Sequence, residues 1–161
     1  AYNFLNVFPP SALNDVHEPA FSDSPIHLLL FASRRERDCG HAILSSRLAY
    51  WLWHVEGDGF HVTASFLNRL PLWNDGLLEN EKLSELGRSA WYEARQTRMK
   101  SVNGGKATYS FHCGFDTQVV EEIDESILSA LHAPAFYLPD IKRFIADTTS
   151  IDGAKRRRQV H

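Results

Sequence analysis

Apolar residues mark the chain out in segments of two kinds. Ile26-His27-Leu28-Leu29-Leu30-Phe31-Ala32 is a nearly continuous apolar run between Pro25 and the charged stretch Ser33-Arg34-Arg35-Glu36-Arg37-Asp38. A run this short with such flanks predicts a buried strand followed by a turn. In residues 42–55 the apolar Leu44, Leu48, Trp51, Leu52 and Val55 recur at spacings of three and four, which is the period of one helix face. Glu56-Gly57-Asp58-Gly59 ends that helix, because glycine accepts the backbone angles of a sharp turn. Phe60-His61-Val62 follows as a short extended piece. Thr63 or Ser65 is placed to N-cap a short helix carrying Phe66, Leu67 and Leu70, which Pro71 closes. Leu72-Trp73 then reads as a further strand or docking edge.

Residues 78–97 predict a second long helix, with Leu83, Leu86, Ala90, Trp91 and Ala94 on one face. Asn103-Gly104-Gly105 is a turn signal beside the alternating Ala107-Thr108-Tyr109-Ser110-Phe111, so a loop or hairpin arm is expected there. Residues 119–131 carry Val119, Val120, Ile123, Ile127 and Leu131 at helical spacing, with Asp116 or Thr117 as N-cap. A last helix starts near Pro139 and carries Ile141, Phe144 and Ile145. Before residue 24 the chain is irregular, and its apolar residues (Leu5, Val7 and Phe8 among them) dock elsewhere. From about residue 148 a flexible tail is expected. The sum is an α+β fold of mixed α/β character, a helix-rich domain with a small sheet. A boundary near 73–76 separates a mixed α/β core, 1–75, from a helical C-terminal part, 76–161, with a basic loop near 98–106.

Composition narrows the class of protein. The chain has 161 residues, 43% hydrophobic and 23% charged, the proportions of an ordinary one-domain globular protein. No apolar run approaches the roughly 20 residues that a membrane helix needs, so no membrane partner is expected. Cys39 and Cys113 cannot make a disulfide scaffold, which points to a reducing, cytoplasmic setting. The first residues have no basic n-region and no initiator methionine, so a piece of a longer protein is expected.

The net charge of −3 hides an uneven distribution. Arg88, Arg95, Arg98, Lys100 and Lys106 face a single acid, Glu93, between positions 88 and 106, whereas positions 116–125 hold five acids and no base. The chain closes with Lys155-Arg156-Arg157-Arg158. Local basic patches bind phosphate even on an acidic chain, although solvated helix faces carry similar charge blocks.

Most catalytic chemistries lack their residues. Cys39-Gly40-His41 and His112-Cys113 are the close Cys/His groupings, and they do not show the paired spacing of zinc ligands, so two buried free thiols are the simpler reading. Ser45, Ser46, His54, Asp58 and His61 invite a hydrolase triad. Yet no nucleophile elbow is present, and the two serines fall mid-helix. Neither Gly57-Asp58-Gly59 nor Gly104-Gly105 has the spacing of a phosphate-cradling loop. Nucleic-acid binding fits better. Asn103, Gly104, Gly105 and Lys106 form a polar loop flanked by Arg95, Arg98 and Lys100, and Arg34, Arg35 and Arg37 offer a second patch. Asparagine pairs with adenine edges, and lysine or arginine with guanine or phosphate.

One stretch goes further. Ala42-Ile43-Leu44-Ser45-Ser46-Arg47-Leu48-Ala49-Tyr50-Trp51-Leu52-Trp53, then Gly57-Asp58-Gly59-Phe60-His61-Val62-Thr63, then Leu70-Pro71-Leu72, resembles a segment of N6-adenine DNA methyltransferases of bacterial restriction–modification systems. In that family it lies in the C-terminal target-recognition region, after the catalytic domain. Leu86-Gly87-Arg88, Trp91, Ser101-Val102-Asn103-Gly104-Gly105-Lys106 and Val120-Glu121-Glu122-Ile123-Asp124 also look like that region, so the resemblance spans about residues 26–131. The family's Asn/Asp/Ser-Pro-Pro-Tyr/Phe motif is absent: Phe8-Pro9-Pro10-Ser11 has only the prolines.

The resemblance implies a non-catalytic DNA-binding fragment with no cofactor of its own. S-adenosylmethionine would belong to the parent enzyme, and the partners would be double-stranded DNA and the catalytic domain of the same parent chain. Under that reading the candidates for DNA contact are Arg34, Arg35, Arg37, Lys100, Asn103 and Lys106; His61 either faces DNA or bonds locally with Asp58, and Gly57, Asp58 and Gly59 form a structural turn. The alternative is a structural or protein-interaction domain of a larger enzyme that touches no DNA bases. A stand-alone hydrolase is the weakest of the three.

Overall fold

The structure, a computed structural model, describes residues 5–9 and 27–158, with backbone alone at 103, 106, 107 and 150–158. The elements run α1 (Arg34–Ser45), α2 (Arg47–Glu56), α3 (Ala64–Arg69), α4 (Asp75–Leu78), α5 (Glu81–Gln96), β1 (Met99–Asn103), β2 (Lys106–Ser110), α6 (Gln118–Ala130) and α7 (Tyr137–Arg158). The fold is helix-rich α+β, with one two-stranded antiparallel sheet among the described residues. Most of the irregular opening segment, and Ile26 of the expected strand, lie outside the described residues. Leu5 is buried, and Val7 and Phe8 pack against the core.

Five helices open with the same device. Ser33, Ser46, Thr63, Asn74 and Asn80 each accept a backbone N–H three residues on, at 2.9–3.1 Å. This satisfies a donor that the first helical turn leaves without a carbonyl partner. It also corrects the expected charged turn at 33–38, which is the first turn of α1. Glu36 completes a variant of the capping box, its carboxylate accepting from the Ala32 N–H at 3.1 Å.

The apolar run before α1 is not a buried strand. Residues 27–31 belong to no strand or helix, and Leu28 and Leu30 are 69% and 85% exposed. Burial alternates along the segment: His27, Leu29 and Phe31 are half-buried, and the residues between them are exposed.

The helix expected over 42–55 is two helices. Ser46 sits between them with ψ 156°, outside the helical region. Its hydroxyl donates to the Ile43 carbonyl at 2.6 Å while accepting from the Ala49 N–H at 3.0 Å, so one buried side chain ends α1 and starts α2. The break rotates the second face. Leu48, Ala49, Tyr50 and Trp53 are buried, whereas Val55 is exposed. Leu72-Trp73 forms a turn rather than a strand, with Leu72 buried. The helix expected over 78–97 is α5, which starts at Glu81 after its cap Asn80, and Leu83, Leu86, Ala90 and Ala94 are buried as the spacing predicts. Pro139 falls in the first turn of α7, where a missing N–H costs nothing. That helix runs past Thr148, where the flexible tail was expected to begin, to Arg158.

α1 packs along α5, α5 on α6 and α2 on α7. Small residues permit the first contact. A methyl group added at Gly87 would overlap the Asp38 carbonyl oxygen. Because α1 and α5 come from opposite sides of the 73–76 boundary, one core runs across it.

Candidate nucleic-acid interface

The basic loop expected near 98–106 is the β1–β2 hairpin. Its register pairs Met99 with Ser110, Lys100 with Tyr109, Ser101 with Thr108, Val102 with Ala107 and Asn103 with Lys106. Gly104 and Gly105 close it with φ of +57° and +80°, angles that other residues rarely adopt. A Cβ added at either glycine would meet nothing within 4 Å, so the tip stands clear of the body. The base is fixed. The Thr97 hydroxyl donates to the His112 carbonyl at 3.1 Å, and Asn6 brackets β2 by donating to the Tyr109 carbonyl and accepting from the Phe111 N–H. The Lys100 ammonium lies 5.5 Å from the centroid of the Tyr109 ring. Arg95 and Arg98 are exposed where α5 passes into β1. Asn103 and Lys106 flank the turn by register, and their side chains lie outside the described residues.

The Gly57–Asp58–Gly59 turn holds its shape through Asp58. Its carboxylate accepts the backbone N–H groups of Phe60 and His61 at 2.8 and 2.7 Å, and contacts His61 Nδ1 at 2.8 Å. These bonds, the His61 N–H first, hold the Asp58 pKa down at about 2. The Trp53 indole donates to the His61 carbonyl at 3.0 Å and pins the turn to α2. Gly59 has φ +63°, and a Cβ there would overlap the His54 ring. The His61 ring itself is exposed.

The third set lies on α1. Arg34 and Arg35 are exposed in its first turn. Arg37 is spoken for by the buried Asp38 carboxylate, donating to it at 3.0 and 2.6 Å, while Arg88 of α5 approaches its other oxygen at 3.4 Å. Cys39 meets Asn80 at the start of α5, and His41 meets Trp91 further along. The hairpin follows the last turn of α5. The candidate contact residues belong to three segments: the start of α1, the turn after α2, and the hairpin.

Two of the five acids in the acidic stretch, Glu121 and Asp124, are paired with bases from other helices, a pairing the spacing of charges along the chain does not reveal. Arg47 is buried and donates to Glu121 at 2.8 Å, to Asp124 at 3.0 Å and to the Phe115 carbonyl. Its backbone N–H also donates to Asp124 at 3.0 Å. Lys142 of α7 reaches the other Glu121 oxygen at 2.5 Å. Burial pushes the Asp124 carboxyl up to about 7 against the pull of Arg47, and Lys142 leads in holding Glu121 low. Two signals were legible. Arg47 interrupts an apolar stretch, and Asp124 lies four residues from both Val120 and Leu128 on the buried stripe of α6.

Both cysteines of the Cys/His groupings are free and buried. Burial raises both Cys39 and Cys113 to about 11 and lowers His41 and His112 to about 4, so thiols and imidazoles are held neutral. Among the described residues no group of three or more His, Cys, Asp or Glu side chains could hold a metal ion. No helix among them is long and apolar enough to cross a membrane. No family model, curated protein or solved structure matches the chain.

Proposed function

We propose that the chain is a DNA-contacting target-recognition module of an adenine-N6 methyltransferase, itself non-catalytic. The observation that carries the reading is the exposed two-stranded hairpin. Its tip is clear of the body, Lys100 is on its first strand, and Arg95 and Arg98 stand at its root. A two-stranded ribbon is one of the few protein elements that fit the DNA major groove, and bases at its root supply phosphate anchors. The pairing of Glu121 and Asp124 with Arg47 and Lys142 adds support, since it reduces the acidic field of α6. Methyl transfer needs a flipped base and a donor, so a separate catalytic domain holding S-adenosylmethionine would be the partner.

Fluorescence anisotropy with a labelled duplex at low salt tests this. The chain binds, and charge reversal by Lys100→Glu with Lys106→Glu weakens it at least tenfold. No binding, or an unchanged affinity in the double variant, contradicts the reading. Exposed Leu28 and Leu30 favour the alternative, a docking domain without DNA contact. That reading predicts no duplex binding at any salt concentration.

A further inference from the structure

Antiparallel register sorts the hairpin into two faces of different chemistry. Directly paired residues share a face, and the faces alternate along each strand. One face carries Lys100, Val102 and Tyr109. The other carries Met99, Ser101, Thr108 and Ser110. The first face is mostly apolar, with Lys100 laid over Tyr109 and Tyr109 half-buried. The second is rich in hydroxyls, and Ser101 and Thr108 are a cross-strand pair with both members exposed.

We propose that the Ser101–Thr108 face reads base edges in the major groove of B-form DNA, which deepens the DNA-binding reading above and rests on it. Hydroxyls both donate and accept, so a paired Ser and Thr can serve either kind of base-edge group. Five residues per strand give a ribbon about 17 Å long with strands about 4.8 Å apart. That width enters a major groove of about 12 Å. The deep, narrow major groove of A-form RNA excludes it. Arg95 and Arg98 are exposed at the root of the ribbon, between the end of α5 and the start of β1. Phosphate anchors give affinity without sequence information, so the discrimination falls to the exposed hydroxyl pair.

The test is selection from a random duplex library with the whole chain, followed by titration of the enriched and scrambled duplexes. The wild-type chain enriches a motif. Ser101→Ala with Thr108→Val loses roughly tenfold or more of the preference, read as the ratio of its affinities for enriched and scrambled duplex. An RNA duplex of the same length binds at least tenfold more weakly than DNA. A double variant that retains the wild-type preference overturns the assignment, as does equal binding of RNA. Wild-type binding to DNA with no preference overturns it too, yet leaves the DNA-binding reading standing. Absence of all binding overturns both.

Discussion

A few residues fix this fold through contacts that tolerate no change in size. Gly87 is the sharpest case, because a Cβ there would overlap backbone of α1 rather than a movable side chain. Gly87→Ala is expected to cost about 1–3 kcal/mol, the usual range for overpacking, read as a lower urea midpoint with an unchanged slope. Gly59 needs its positive φ as well as its space, whereas Gly104 and Gly105 need only the angle. From the sequence, Gly57–Gly59 and Gly104–Gly105 are legible as turns because they interrupt periodic segments. Gly87 is not, because it lies inside a helical pattern and its role depends on a helix more than forty residues earlier. The same limit hid the Arg47–Asp124 pair. Each residue can be seen as an anomaly on its own apolar stripe, but the pairing of two elements cannot be read from either alone.

At the scale of elements, helix content was readable and helix boundaries were less so. The periodicity over 42–55 is real, yet Ser46 breaks it with a polar side chain that serves two helix ends. Ser46→Ala removes both bonds, and about 1–2 kcal/mol of stability should go with them, measured by denaturant unfolding. The hairpin was legible because a glycine turn and an alternating strand are both local signals. The strand expected at 26–32 failed because an apolar run does not say which of its two sides finds a partner. The Arg47 network ties α2 to α6 and α7. Arg47→Met leaves Asp124 buried without its main partner, so a loss of about 3–5 kcal/mol is expected. Replacing both, Arg47→Met with Asp124→Leu, should be less damaging than Arg47→Met alone. If the double variant is the worse of the two, the network is not held together by that pairing.

For the whole molecule, the buried titratable groups set the pH dependence. His41 and His112 are lowered from 6.5 to about 4, so the stability they contribute is present above 6.5 and is lost as the pH falls toward 4. Asp124 is raised from 3.8 to about 7, so its contribution is present below 3.8 and is lost as the pH rises through 7. Two histidines oppose one carboxyl between pH 4 and 6.5, which gives rising stability there and a decline above it. Thermal unfolding across this range checks the shape, and His112→Asn should flatten the acid side.

The central claim is electrostatic contact with DNA through the hairpin. It is tested most directly by the salt dependence of duplex binding between 50 and 200 mM salt. Three to four phosphate contacts predict that log K falls with log salt at a slope of about −3, and the Lys100→Glu, Lys106→Glu variant should lose about one to two units of that slope. A chain that fails to bind at 50 mM, or a variant whose slope matches the wild type, contradicts the account.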